Sequence, residues 1–374
     1  DMSTSSKQKS ATAHLWVLDP VVRELQDCPV ATARDMAELM NVRNVSILTS
    51  KNCAAARKFR HAYNGSSPGM SVVPALERTK TAPYLQPEFL KKSLMSEQMP
   101  SDEIVEMSYY PGLDSNLDAG EIARELVEQV NNKHYAKISS TLNFHSEALD
   151  RYLKPHRDAN IEENTFYASP KGSAFIMPCG VLLPLEASAL TSNTSIHLLS
   201  GMRIYLVYPP TLHNMVILHT HFQHLGNGSK PYYVDVCRQM EGGIIFIQRP
   251  GEVVRLRPYS PTVVFATETS VAVSYRCRYQ EGLRLRLKYV QVLVSQVLAV
   301  RFVSGQEAAT ALEYHLLQLY RDVYTALRGP VLNRGSIREL GAAWKEAGFR
   351  FLDLVRRYMP EPSTKHIVEK VPKL

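Results

Sequence analysis

Five short apolar runs between Ser195 and Tyr275 constrain the fold of this 374-residue chain more than any other feature. Each run is rich in β-branched and aromatic residues and is bounded by Gly, Pro or polar residues, which is the pattern of β-strands. The runs are Ser195–Leu199, Arg203–Tyr208, Ile244–Gln248, Val253–Arg257 and Val263–Tyr275. We therefore predict five strands in this region.

Two junctions among these runs have unusually specific sequences. Residues 201–214 read GMRIYLVYPPTLHN, and residues 241–252 read EGGIIFIQRPGE. The first resembles the strand and Pro-Pro turn of JmjC domains, and the second is similar to the hairpin before their final core strands. The resemblance implies an α+β fold built on a double-stranded β-helix, a cupin or jelly-roll barrel, with flanking helices and a C-terminal helical bundle.

The resemblance also implies a site for Fe(II) and 2-oxoglutarate, because JmjC oxygenases hold iron with a His-x-Asp/Glu pair and a later His. The family's strand spacing places those ligands at Leu185, Ala187 and Thr262, and none of these side chains is a strong iron ligand. A shift of one residue would make Pro184 and Glu186 the pair, and the first His would still be missing. We therefore expect degenerate metal positions that hold no metal.

The cosubstrate position keeps its charge, since the Lys that binds 2-oxoglutarate in the family corresponds to Arg203, whose guanidinium can hold a carboxylate. The resemblance thus implies a pseudoenzyme without catalytic residues or cofactors, which acts as a binding or scaffolding module in chromatin or gene regulation. The alternative is an active Fe(II)/2-oxoglutarate-dependent oxygenase, a histone demethylase or hydroxylase with non-standard ligands. A small-molecule-binding cupin without a chromatin role is a third hypothesis.

The charge balance favours acidic partners. The chain carries 43 Lys and Arg against 36 Asp and Glu, a formal net charge of +7. We expect a chromatin protein, a histone or DNA as the partner and a nuclear location, with a cytoplasmic one as the alternative. The densest basic stretch comprises Arg276, Arg278, Arg284, Arg286 and Lys288. It predicts either a positive ridge for phosphate or an acidic protein, or an ordinary solvated face.

The cysteine pattern and the hydropathy bear on the compartment. The chain has five widely spaced cysteines and no Cys-x-x-Cys pair, which is typical of reduced thiols in the cytosol or nucleus. No apolar run reaches about 18 residues, and residues 1–10 are polar. We therefore expect neither a signal peptide nor a membrane partner.

Composition divides the chain into four parts. Residues 1–13 predict a disordered leader, and 14–111 an N-terminal α/β extension that loosely resembles a JmjN segment. Residues 112–280 would form the barrel, and 281–374 a C-terminal helical domain.

Local signals place elements within these parts. Thr32 is expected to cap a helix, followed by a strand at Val45–Thr49 and a basic helix at Ala54–Tyr63. Asp118 is expected to cap a later helix, and Pro155 to end the one after it.

Beyond Tyr275 the hydrophobic period changes from two to about 3.6, which predicts helices. Their apolar stripes are Leu283, Leu287, Val290, Val294 and Val297; then Leu312, Leu316, Leu319, Val323 and Leu327; then Leu340, Trp344, Ala347, Phe351, Leu354 and Tyr358. Ser336 and Glu339 form a capping box for the last helix. We expect the stripes to be buried, and the helices to offer oligomeric or hetero-complex contacts.

Two histidine features are further candidates. His219, His221 and His224 have a spacing that suits transition metals, but they follow the Pro-Pro turn and precede a glycine-rich turn, so we expect a loop without a functional metal. His197 lies on a predicted strand and would reach the old iron pocket only if it pointed inward. A core histidine is the simpler expectation.

Overall fold

The computed structural model describes residues 19–28, 30–47, 77–78, 104–105, 119–130, 141–158, 165–168, 172–187, 192–228, 232–299, 305–328, 334–359 and 367. The predicted leader, the predicted helix at Ala54–Tyr63 and the capping residue Asp118 lie outside these residues.

The described strands form two sheets. In chain order their bounds are β1 Val45–Ile47, β2 Glu77–Arg78, β3 Ile104–Val105, β4 Thr141–Phe144, β5 Thr165–Ala168, β6 Ser173–Met177, β7 Leu182–Ala187, β8 Asn193–Ser200, β9 Arg203–Val207, β10 Gly243–Gln248, β11 Glu252–Leu256, β12 Pro261–Ala266 and β13 Ser270–Tyr279. One sheet has five strands in the order β1, β10, β9, β12, β7. The other has eight, with the path β2, β11, β8, β13, β6, β4, β3 and with β5 also paired to β13.

The two sheets pack face to face, and their strands bury both faces. In β9, Tyr205 and Val207 enter the core between the sheets, while Ile204 and Leu206 face the helices. This is the period of two expected of a strand. We call the shared layer the intersheet core; it comprises Met177, Val181, Ile196, Leu198, Tyr205, Val207, Ile244, Phe246, Val254, Leu256, Val264, Ala266 and Ala272.

The prediction of one strand at Val263–Tyr275 is wrong, because a turn separates β12 from β13. The backbone N–H groups of Thr267 and Glu268 donate to the Met202 carbonyl oxygen at 3.0 and 3.4 Å. These bonds turn the chain back toward β9. A short polar segment therefore outweighs the apolar pattern on either side of it.

The turn between β8 and β9 requires a glycine. Gly201 has a φ of +75°, and a Cβ there would lie 2.6 Å from the Thr269 carbonyl oxygen and 2.7 Å from Ser270 Cα. Since both contacts are to backbone atoms, they cannot move aside cheaply. The turn thus brings the start of β9 against the start of β13.

The helices are α1 Asp19–Gln26, α2 Ala31–Met40, α3 Ala119–Glu128, α4 Glu147–Asp158, α5 Leu212–Gly226, α6 Tyr233–Gln239, α7 Gln280–Lys288, α8 Val290–Ala299, α9 Gly305–Arg328 and α10 Arg334–Tyr358. Thr32 does not cap α2, because Val30 holds that position without a side-chain cap. The Thr32 hydroxyl donates instead to the Gly180 carbonyl oxygen at 2.6 Å, so a tertiary contact takes the group that a cap would use.

Two other helix boundaries differ from the predictions. Pro155 lies inside α4, which continues to Asp158, because a proline removes one backbone donor without preventing the next residues from staying helical. The last helix begins at Arg334, two residues before the predicted capping residue Ser336.

The C-terminal stripes are buried as predicted, except that Leu327 and Tyr358 are half-buried. Leu283, Leu316 and Phe351 share one core with Leu206 and Phe265 of the five-stranded sheet. We call this layer the helix–sheet core. The helical region therefore packs directly on the sheet.

A second helical layer covers the outer face of the eight-stranded sheet. Leu126 of α3 and Leu149 of α4 pack there against Ile176 and Val273. None of the helices within the described ranges is long and apolar enough to cross a membrane.

Candidate anion site between the two sheets

Arg203 opens β9 and is fully buried, with 0 % of its surface exposed. The residues at alternate positions, Tyr205 and Val207, belong to the intersheet core, so Arg203 lies on the same side of the strand. The Gly201 turn leads into this position and sets Arg203 beside Ser270 at the start of β13.

The guanidinium of Arg203 is held by one strand and one ring. Its Nε donates to Ser270 Oγ at 2.7 Å, and its Nη2 to the Ser270 carbonyl oxygen at 3.4 Å. The guanidinium carbon lies 4.2 Å from the centre of the Phe175 ring, a cation–π contact. Within the described ranges Nη1 has no hydrogen-bond partner of normal geometry, and no carboxylate pairs with this cation.

Two more polar groups face the same layer. Gln248 pairs in register with Arg203, and its Nε2 donates to two backbone carbonyl oxygens at 2.9 and 3.0 Å, whereas Oε1 accepts no hydrogen bond from the described residues. Tyr205 stacks on Phe246 with ring centres 5.4 Å apart, and its hydroxyl likewise makes no hydrogen bond of normal geometry in this part of the chain. The layer therefore offers a cationic donor, a hydroxyl and an amide acceptor.

Burial lowers the pKa of Arg203, because desolvation penalises the charged guanidinium, and the neighbouring Tyr205 raises it in part. The same burial raises the pKa of Tyr205, and the charge of Arg203 lowers it in part. A buried cation without a counter-charge is costly. A carboxylate would supply the negative counter-charge. It would also accept hydrogen bonds from both the guanidinium and the Tyr205 hydroxyl.

The residues at the expected iron positions do not fit an iron triad. Leu185 is buried in the helix–sheet core and not between the sheets, so its assignment as the first ligand position of the barrel interior is wrong. The displacement accompanies an irregularity in the β7–β12 pairing, between Thr262 and Val264.

Thr262 uses its hydroxyl to donate to the Ser260 carbonyl oxygen at 2.9 Å. In register it pairs with Glu186, and Pro261 pairs with Ala187; only the backbones of Glu186 and Ala187 are described. An alcohol that already donates to a carbonyl oxygen is a weak iron ligand.

The histidine cluster lies on a helix, so the expectation of a loop is wrong. α5 begins after Thr211, whose hydroxyl accepts a backbone N–H at 3.2 Å. His219 Nδ1 lies 3.0 Å from Ser295 Oγ, whereas His221 is buried and His224 is exposed. The rings occupy different environments because their spacing places them around the helix. Among the described residues, no group of three or more His, Cys, Asp and Glu is arranged to hold a metal ion.

His197 is a core histidine, as expected. Its neighbours Ile196 and Leu198 enter the intersheet core, so His197 lies on the opposite face of β8. Its ring meets Tyr275 edge-on, with centres 5.7 Å apart.

The predicted basic ridge is divided by the fold. Arg286 is 2 % exposed, and the side chain of Arg278 is 12 % exposed, so the assignment of these two residues to a partner surface is wrong. β13 and α7 turn both of them toward α9, where they meet a carboxylate. Arg276, Arg284 and Lys288 are exposed.

The residues around Arg203 were not predicted from the sequence. Tyr205 could have been predicted to lie beside Arg203, because it follows Arg203 by two residues on a predicted strand and so shares its face. Ser270 and Phe175 carried none, since the pairing of distant strands brings them to the site.

Comparison with family models and with curated proteins supplies no relative from which a role could be transferred. No family model matches this chain, and no curated protein matches it significantly.

Proposed function

We propose that this protein is a JmjC-like double-stranded β-helix that acts as a binding module and keeps a site for a small carboxylate. The order of the strands supports the fold. Strands β6, β8, β11 and β13 belong to one sheet, and β7, β9, β10 and β12 to the other. The chain thus crosses repeatedly between two facing sheets, as in jelly-roll barrels.

The carboxylate site rests on Arg203, a fully buried cation whose Nη1 makes no hydrogen bond of normal geometry and which has no carboxylate beside it in the described chain. A charge-assisted hydrogen bond to a ligand would offset the desolvation of this cation. Tyr205 supplies a second donor, and Gln248 Oε1 an acceptor for the rest of the ligand. The favoured ligand is therefore a small carboxylic acid that also carries a hydroxyl or amino group.

A binding role suits these residues better than an oxygenase role. Leu185 is apolar and lies outside the intersheet core, and the Thr262 hydroxyl is already bonded to a backbone carbonyl. These side chains do not form the three strong ligands that a non-haem iron centre needs.

A chromatin partner and a nuclear location belong to the same proposal. The net charge of +7 supports them, together with the exposed side chains of Arg276, Arg284 and Lys288.

Calorimetric titration with 2-oxoglutarate, succinate, malate and acetate tests the carboxylate site. We expect saturable binding by the wild type and a loss of about tenfold or more in affinity for Arg203→Met, because a charged hydrogen bond is removed. Arg249→Met is the control, since Arg249 is exposed in the turn after β10. The site is refuted if the wild type binds none of these acids, or if Arg203→Met binds them equally well.

Reconstitution with Fe(II) tests whether the protein is a binding module or an oxygenase. We expect substoichiometric iron and no 2-oxoglutarate turnover above a protein-free blank. Equimolar iron with turnover would establish the oxygenase alternative, whatever the titration shows.

A further inference from the structure

Arg286 forms a second buried cationic centre, remote in sequence from Arg203. It lies on α7, which packs against β13, α9 and α10. Its Nη1 donates to Asp322 Oδ2 of α9 at 2.5 Å, and Gln318 Nε2 donates to Asp322 Oδ1 at 3.1 Å. Asp322 is therefore fixed at one corner of the guanidinium.

The other edge of Arg286 is unused by the described residues. Nε and Nη2 are buried and make no hydrogen bond to any of them. These two nitrogens carry parallel N–H groups in one plane, the fork that matches two oxygens of a carboxylate or phosphate. A single bridging water would satisfy hydrogen bonding only in part and would add no negative charge.

Further basic side chains lie near the Arg286–Asp322 ion pair. Arg278 Nε is 3.6 Å from Asp322 Oδ2. Arg276 is two residues earlier on β13, on the same face of the strand, and it is exposed. The pKa of His315 on α9 is lowered first by burial and then by the charges of Arg286 and Arg276. The basic groups thus extend from solvent at Arg276 to the buried Arg286.

We propose that this junction binds an oxyanion of the phosphate class, with two oxygens on the Nε/Nη2 edge of Arg286. We name the junction the Arg286 site. A dianion is favoured over a monoanionic carboxylate because Arg276 and Arg278 add to the positive potential of Arg286. We expect the ligand to enter from the side of Arg276, because that side chain is exposed.

The site lies where the last strand meets the helical region, since α7 follows β13 directly and contacts α9 and α10. A bound phosphate would therefore stabilise the packing of α7 between sheet and bundle. By linkage, the melting temperature rises with the concentration of a ligand that binds only the folded state.

The experiment is a thermal and calorimetric titration of the full chain with inorganic phosphate, at a pH where phosphate is largely dianionic. Acetate and chloride at equal ionic strength are the comparison salts. We expect a saturable rise in melting temperature with phosphate alone. Arg286→Lys should lower the phosphate affinity by about tenfold or more, because an ammonium keeps the charge and loses the fork.

Arg284→Lys is the matched control, because Arg284 lies on the same helix, is exposed and pairs with Glu339. Its phosphate affinity should equal that of the wild type, and so should that of Arg203→Met. If Arg286→Lys does not fold, the double variant Arg286→Met/Asp322→Leu removes the Arg286–Asp322 ion pair as a unit and should fold without binding phosphate.

The absence of a saturable phosphate effect in the wild type would overturn the proposal. So would an equal weakening in Arg284→Lys and Arg286→Lys, or undiminished phosphate binding by the double variant. None of these outcomes bears on carboxylate binding at Arg203, so the two sites fail independently.

Discussion

Arg203, Arg286 and His221 are buried basic side chains, and each meets the cost of desolvation differently. Arg286 pairs with Asp322, and Arg203 rests on Phe175 and Ser270. His221 remains neutral: burial, with a smaller contribution from His224, lowers its pKa to about 4, and neither ring nitrogen bonds to a described residue. A buried histidine that stays neutral in the folded protein makes the free energy of unfolding depend on pH.

The His221 prediction concerns stability against pH. The folded protein keeps His221 neutral down to a pKa of about 4, while the unfolded chain takes up a proton near the ordinary value of 6.5. Between these values the unfolded state binds more protons, so the free energy of unfolding falls as the pH drops through this window. Across this window the free energy of unfolding falls by about 3 kcal/mol.

Urea titrations at several pH values measure this effect. His221→Phe should flatten the profile between pH 6.5 and 4, whereas His213→Phe, at the exposed start of the same helix, should follow the wild type. If unfolding free energy depended on pH in the same way for the wild type and for His221→Phe, the lowered pKa of His221 would be contradicted.

At the scale of elements, α10 shows how one stripe anchors a helix. Trp344 and Phe351 are buried in the helix–sheet core with ring centres 5.6 Å apart, and the Trp344 ring lies 3.5 Å from where a Cβ on Gly348 would stand. On the same helix, Phe349 is 83 % exposed. Trp344 and Phe349, five residues apart on one helix, are therefore buried and exposed, respectively.

Trp344→Ala should lower the free energy of unfolding by about 3–5 kcal/mol, because it leaves a large cavity in the core. Phe349→Ala should change it by less than about 0.5 kcal/mol, as expected of an exposed site. Denaturant unfolding of both variants provides the measurement. Equal losses of unfolding free energy in the two variants would mean that α10 does not pack through Trp344.

The sequence could predict these elements because their signal is local. The period of two in β9 and the period near 3.6 in α10 both lie within a single element. The turn between β12 and β13 and the bond from Thr32 to Gly180 depend on residues far away in the chain, and no local pattern contains them. The same holds for the candidate site: the resemblance pointed to Arg203, but no local pattern pointed to Ser270, its hydrogen-bond partner 67 residues away.

At the scale of the whole molecule, the buried charges change which positive groups are free to act on a partner. Arg286 and Arg278 point toward Asp322, so Arg276, Arg284 and Lys288 carry the outward charge of this stretch. Electrostatic association by such groups weakens with salt and does not depend on base sequence.

Arg284→Glu combined with Lys288→Glu should weaken binding to a duplex of arbitrary sequence and reduce the salt slope by about two units, one for each phosphate that the protein no longer neutralises. Arg238→Glu with Arg249→Glu changes the net charge equally, on α6 and in the turn after β10, and is the control. Binding that ignores salt, or that the two double variants weaken equally, would exclude this surface as the one that binds the duplex.

Gly201 has a consequence for reading genetic variation in this protein. A side chain there would collide with the backbone at Thr269 and Ser270, and Ser270 is the residue that orients Arg203. In a saturation library scored separately for abundance and for carboxylate binding, substitutions at Gly201 should therefore group with those at Arg203. A residue without a side chain would then be scored as part of the ligand site.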